Sequence, residues 1–128
     1  MSKENVEIVR EFFEAVRRGD FDRAVTHLAA DVFYTVSQEG PAHNPDAVRD
    51  IWQRWENEWD EIEMRHEVFL DAGEKVVVTT HEVGRGRVSG IEVDQLVFNV
   101  FTVREGKIVR KEEFMDRAKA LEAVGLSG

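Results

Sequence analysis

Four extended segments with very little chain between them dominate the second half of this sequence. They run over Glu61–Leu70, Glu74–Arg87, Val93–Arg104 and Lys107–Phe114. Each is rich in Val, Ile, Thr and Phe, the residues that fit a pleated, half-buried surface. The links carry Gly73, then Ser89-Gly90, then Glu105-Gly106. Connections that short cannot hold a crossover helix, so the segments are expected to form antiparallel hairpins. A sheet of four such strands has two faces to cover, and the rest of the chain has to cover them.

The first half supplies helices. Val6, Ile8, Val9, Phe12, Phe13 and Val16 make one wide apolar stripe. Ser2 is the expected N-cap, and Gly19 the left-handed residue that ends the helix. Asp20 caps a second short helix through Phe21, Ala24, Val25 and Leu28. Val32–Val36 reads as a short strand around Phe33, Tyr34 and Thr35. The segment "SQEGPAHNPD" reads as a loop, and Asn44-Pro45-Asp46 as a helix start, with a cap and then Pro at the first helical position. That helix, to about Trp59, aligns Val48, Ile51, Trp52, Trp55 and Trp59. A last helical pattern over Asp116–Val124 places Ala118, Leu121 and Val124 on one side. Helices first and antiparallel strands later define an α+β class. A curved antiparallel or mixed sheet wrapped around the N-terminal helices, cone-shaped and enclosing a pocket, would use both sets of apolar faces. At 128 residues the chain is expected to be one domain, 1–128.

Charge narrows the partners. Twenty-six acidic residues against 17 basic ones leave a net charge of −9, which repels nucleic acid and anionic membranes. No stretch approaches the apolar length of a membrane span. The opening residues show no apolar leader, so a cytoplasmic location is expected. With no cysteine, thiolate chemistry is excluded. His27, His43, His66 and His81 have neither H-x-H nor H-E-x-x-H spacing, so no metal and no cofactor is expected.

Candidate site residues come from strand alternation. Asn99 interrupts an apolar strand. A type I turn with Gly106 as the bulge residue would pair Val103 with Lys107, Phe101 with Val109, Asn99 with Lys111, and Val97 with Glu113. Asn99, Lys111 and Glu113 then share a face with Val97, Phe101 and Val109. A one-residue slip would put Asn99 opposite Glu112 instead. A carboxylate among apolar groups suits a general base, and an amide suits a donor to a carbonyl or enolate oxygen. His81, in the alternation Val77-Thr79-His81-Val83, is a candidate proton shuttle. His66 lies in the alternation Ile62-Met64-His66-Val68-Leu70. Tyr34, mid-strand, is a candidate donor to a substrate oxygen. Trp52 and Trp55 are core residues that would also wall a pocket for flat apolar ligands. Arg85 and Arg87, in "GRGRVSG", sit on a hairpin read as solvated. Leu96, Phe98, Val100 and Phe114 fall on the other sheet face, where they are expected to bury against a second copy in a homodimer.

The stretches "VREFFEAVRRGDFDRAVTHLAADVFY" (Val9–Tyr34) and "NVFTVREGKIVRKEEFMDRAKALEAVGL" (Asn99–Leu126) resemble the nuclear-transport-factor-2-like superfamily, in particular its SnoaL-like, polyketide cyclase-like branch. The resemblance covers essentially the whole chain. It implies a cone-shaped sheet closed by helices around a ligand pocket. The branch often carries a His where Asn99 stands and a catalytic carboxylate where Glu113 stands. The implied function is a small-molecule pocket protein. It would act as a cofactor-independent isomerase, cyclase or dehydratase on a compact apolar or aromatic carbonyl compound. The alternative is a non-catalytic ligand-binding or dimerisation module.

Overall fold

The computed structural model describes residues 2–36 and 40–126. The Ser2 side chain, expected as a cap, and loop residues 37–39 lie outside what is described. The elements are α1 (Ser2–Arg17), α2 (Phe21–Val25), β1 (Leu28–Tyr34), α3 (Pro45–Glu58), β2 (Trp59–Ala72), β3 (Lys75–Gly86), β4 (Glu92–Arg104), β5 (Lys107–Phe114) and α4 (Arg117–Ala123). The caps work as the sequence implies. Asp20 accepts from Arg23 N at 3.2 Å, Asn44 from Ala47 N at 2.8 Å, and Asp116 from Ala118 N at 2.8 Å. Three boundaries differ from expectation. Leu28 opens β1 rather than closing α2, and β1 ends at Tyr34. Trp59 leaves the helix in extended geometry and begins β2, so it belongs to the sheet and not to the indole stripe of α3.

One five-stranded mixed sheet has the order β1-β5-β4-β3-β2, with only the β1–β5 pair parallel. The inner face packs on α1 and α3. Val9, Phe12, Phe13 and Val16 meet Val76, Val78, Phe101, Val103 and Ile108 in one buried cluster. Phe13 sits 5.3 Å from Phe101, edge to face, and Phe12 stands 6.0 Å from the same ring. Burying a ring such as Phe12 contributes about 2 kcal/mol.

The outer face is covered by the chain itself. Val77, Phe98, Val100 and Ala120 form a second buried cluster under α4, with Leu70, Phe114 and Val124 packed around it. The expectation that Phe98 and Val100 need a second copy is therefore corrected, because they are 7% and 1% exposed in the monomer. Val68 and Leu96 stay exposed on that face.

Two bulges decide which residues face inward. In β2, His66 pairs with Thr80 but Val68 pairs with Thr79. The extra residue, Glu67, reverses the alternation. Ile62, Met64 and His66 point in, whereas Phe69 replaces Val68 and Leu70 on the inner face. In the last hairpin the turn is also corrected. Arg104 pairs with Lys107, so Glu105-Gly106 is a two-residue turn, with φ of 50° and 77°. Both residues are left-handed, as in a type I′ turn, although Glu tolerates this poorly. Val103 pairs with Ile108, but Thr102 pairs with Arg110, which leaves Val109 as the bulge. Phe101 then pairs with Lys111 and Asn99 with Glu113.

Glu105→Asn keeps the turn and relieves the strained residue. It is expected to raise unfolding stability by about 0.5–1 kcal/mol in urea titrations. An unchanged or lowered midpoint would show that Glu105 stores no strain there.

Candidate functional site

Beyond the bulge the register differs from the expected one by two residues, so Lys111 and Glu113 keep their face, whereas nearer the turn Ile108 takes the inner place expected for Val109. Asn99, Lys111 and Glu113 share the inner face with Val97 and Phe101, as expected, but with different neighbours. Asn99 lies between Glu113 on β5 and Val78 on β3. Lys111 lies between Phe101 on β4 and Tyr34 on β1. Tyr34, Val97 and Phe101 are fully buried, and Asn99 and Lys111 are 5% and 3% exposed. Glu113 is half-buried.

Lys111 organises this cluster. Its Nζ donates to Thr35 O at 2.6 Å and stands 4.8 Å from the Tyr34 ring centroid. Burial lowers its pKa to about 8, against the opposing pull of the Glu113 and Glu82 carboxylates. Burial raises the Tyr34 pKa, and the Glu113 and Glu82 charges raise it further, so the phenol is a neutral donor. The Trp52 indole partly offsets that rise, yet neither Tyr34 Oη nor Trp52 Nε1 makes a hydrogen bond. Asn99 Oδ1 is also buried without a partner. An unmet buried polar atom costs about 1–3 kcal/mol. Two donors and an acceptor are thus held in apolar surroundings with their capacity unspent.

Glu82 belongs to the same face and was missed. Residues Val76, Val78, Thr80 and Glu82 face inward, whereas Val77, Thr79, His81 and Val83 face out. Both alternations are equally regular in the sequence, and following the second one selected the wrong member of His81-Glu82. Glu82 is buried and accepts from Gln95 Nε2 at 3.0 Å. Burial raises its pKa, and the Glu113 charge adds to the rise. The Gln95 bond and Lys111 pull the other way.

His81 is not brought to the site. It lies on the outer face opposite Leu96 and pairs with the exposed carboxylate of Asp94. His66 does face inward, with Nδ1 2.9 Å from Thr80 Oγ1 and its ring stacked 3.8 Å from Phe13. Burial holds its pKa down at about 4, so it is neutral at physiological pH. Arg87 binds Asn57 O and Trp59 O at the end of α3, so it anchors the hairpin to the helix.

Two open cavities flank the indoles. One of about 430 Å³ is walled by Trp52, Trp55, Met64, His66, Val16 and Phe21. The other, about 400 Å³, lies between Trp55, Trp59 and the ends of β3 and β4, with Glu82 and Gln95 in its wall. Trp55 and Ile62 border both. Neither is lined by Tyr34, Asn99, Lys111 or Glu113; Trp52 and Glu82 are the members of the cluster that reach a cavity. Among the described residues no three His, Cys, Asp or Glu side chains converge to hold a metal ion. No helix there is long and apolar enough to cross a membrane.

Residues 9–111 match the SnoaL-like domain family, and the chain belongs to that family. Solved structures agree on the NTF2-like cone fold. An NTF2-like protein of unknown function from Burkholderia pseudomallei is 24% identical, with TM-score 0.78 over 94% of this chain and 97% of that one. An NTF2-like protein from Burkholderia xenovorans is 26% identical, with TM-score 0.79 over 97% of each chain. A putative polyketide cyclase from Xanthomonas campestris is 22% identical, with TM-score 0.74 over 96% and 98%. No curated protein matches the chain.

Lys111 imposes a pH dependence whose sign is fixed. Its folded pKa of about 8 lies below the ordinary 10.5, so between these values the unfolded chain binds more protons and stability rises with pH. Tyr34, shifted upward from 10, opposes this only above pH 10. Chemical denaturation is expected to show a gain on the order of 2 kcal/mol from pH 8 to 10, absent in Lys111→Met. A flat profile in the unaltered chain would contradict the burial of a charged Lys111.

Proposed function

We propose that this chain binds a compact apolar or aromatic carbonyl compound inside the cone and moves a proton next to its carbonyl, without a cofactor. Isomerisation, cyclisation and dehydration all begin with that step. The observation that carries the reading is the pair of unpartnered buried donors, Tyr34 Oη–H and Trp52 Nε1–H, beside the Glu113 carboxylate whose charge Tyr34 feels. A carbonyl oxygen accepting from both donors would gain stabilisation as it becomes an enolate, because both donors are buried and have no competing partner. Glu113 is the base that takes the α-proton. Asn99, directly opposite Glu113 in the sheet, positions the ligand, and the Lys111 cation balances the charge that develops.

A second reading is favoured by the seal over the cluster. Tyr34 is fully buried and Trp52 only 9% exposed. A ligand held in the cavities beside Trp52 and Trp55, without displacing the Trp52 ring, would be bound and not turned over.

Exchange of α-protons for deuterium, followed by NMR on a panel of aryl ketones and cyclic enones, separates the two. With catalysis, Glu113→Gln is expected to slow exchange about 100-fold or more, and Tyr34→Phe about 10- to 100-fold. Exchange that is unchanged in Glu113→Gln would remove Glu113 as the base. Ketones that bind without exchange would establish the non-catalytic module.

A further inference from the structure

The second cavity has a composition that the carbonyl chemistry does not use. Its walls are the indoles of Trp55 and Trp59, with ring centroids 6.0 Å apart, and the apolar groups of Ile62, Ile91 and Val93. Among the described residues its charged lining is Glu58 and Glu82, with no Lys, Arg or His. Glu82 is 7% exposed. Gln95 supplies its one hydrogen bond among the described residues, to Oε1. Oε2 is left as an acceptor at the wall of an aromatic cleft. The nearby cations are committed elsewhere: Lys111 Nζ to Thr35 O, and the Arg87 guanidinium to Asn57 O and Trp59 O.

An anion would meet like charge here, and a neutral apolar ligand would leave only the Gln95 bond and the through-space pull of Lys111 to offset the burial of the Glu82 carboxylate. A cation with an apolar body satisfies both walls, since indole faces attract ammonium groups and the carboxylate neutralises them. We propose that the cleft bordered by Trp55, Trp59 and the ends of β3 and β4 binds a protonated alkyl amine, whose N–H donates to Glu82. Gln95 fixes the carboxylate so that its second oxygen faces the cleft. Burial disfavours the charged form of Glu82 in the free chain, and the bound ammonium restores it. The amine is either a ligand in its own right or the basic arm of the carbonyl compound whose other end meets Trp52.

The inference rests on the reading of the chain as a small-molecule binder, and a charge series keeps the two apart. Cyclohexylammonium, cyclohexanol and cyclohexanecarboxylate share one ring and differ in charge. Binding to the unaltered chain is followed by the indole N–H shifts of Trp55 and Trp59. The ammonium is expected to bind at least about tenfold more tightly than the alcohol, and the carboxylate more weakly than either. Glu82→Gln, which keeps shape and loses charge, should bring the ammonium down to the alcohol's affinity. Equal affinity for ammonium and alcohol, or a preference that survives Glu82→Gln, overturns the proposal while leaving a binding pocket. Failure of all three ligands overturns it together with the small-molecule reading. Loss of ketone exchange alone leaves the amine site intact. Should Glu82→Gln not fold, Trp59→Leu is expected to weaken the ammonium more than the alcohol, and an equal loss for both counts against the site.

Discussion

The geometry of the inner face depends on one extra residue. The tight turn at Glu105-Gly106 starts the last hairpin in a register that, carried straight on, would set Asn99 opposite Glu112. Side chains alternate, so that register would send Lys111 and Glu113 outward and bring Arg110 and Glu112 in. Val109 absorbs one residue as a bulge and reverses the parity. Ile108 and Lys111, three apart, then both reach the interior. The strained turn and the bulge are therefore a pair. Each alone would exchange the inner and outer sets on β5, and together they leave the polar cluster inside.

A buried Lys is stable only where its surroundings supply charge and hydrogen bonds. Lys111 has the Thr35 carbonyl, the Tyr34 ring and the charges of two carboxylates, Glu113 two residues on along β5 and Glu82 on β3. That arrangement ties β1 to β5 across the parallel edge of the sheet, where Thr35 N also bonds Lys111 O. It also links the two acids. Glu113 raises the pKa of Glu82, so any ligand that neutralises one changes the other. The two sites proposed above would in this sense be electrostatically coupled through Glu82, Glu113 and Lys111.

Much of this was legible in the residues, and the failures have physical causes. Hairpin links, caps and the stripe of α1 follow local rules, so the element order and the α+β class could be read directly. The resemblance supplied the cone. Asn99, Lys111 and Glu113 were placed on one face although the turn type was misjudged, because the error was even-numbered and parity survived it. His81 failed for the opposite reason. β3 is buried on both faces at its start, with Val76 and Val78 in the α1 cluster and Val77 in the α4 cluster, and both of its alternations are largely apolar, so the pattern does not say which face is inner. Val68 and Leu70 failed because the bulge at Glu67 leaves no mark in composition. The covering of Phe98 and Val100 by α4 depends on where a seven-residue helix docks, which its own sequence does not state.

Stability alone does not account for the interior that results. Phe in place of Tyr34 would keep the ring packing and remove a hydroxyl with no partner. Leu in place of Asn99 would do the same for its amide oxygen. Changes of this kind are neutral or stabilising in a core whose only task is to fold. Here the polar groups are also not scattered. Tyr34, Asn99 and Lys111 lie on adjoining strands, Trp52 approaches from α3, and both inward carboxylates flank them. A cluster whose members are individually costly, mutually close and incompletely satisfied is what the proposed ligand binding would use, because an entering ligand can meet the donors and the acceptor that the fold leaves without partners.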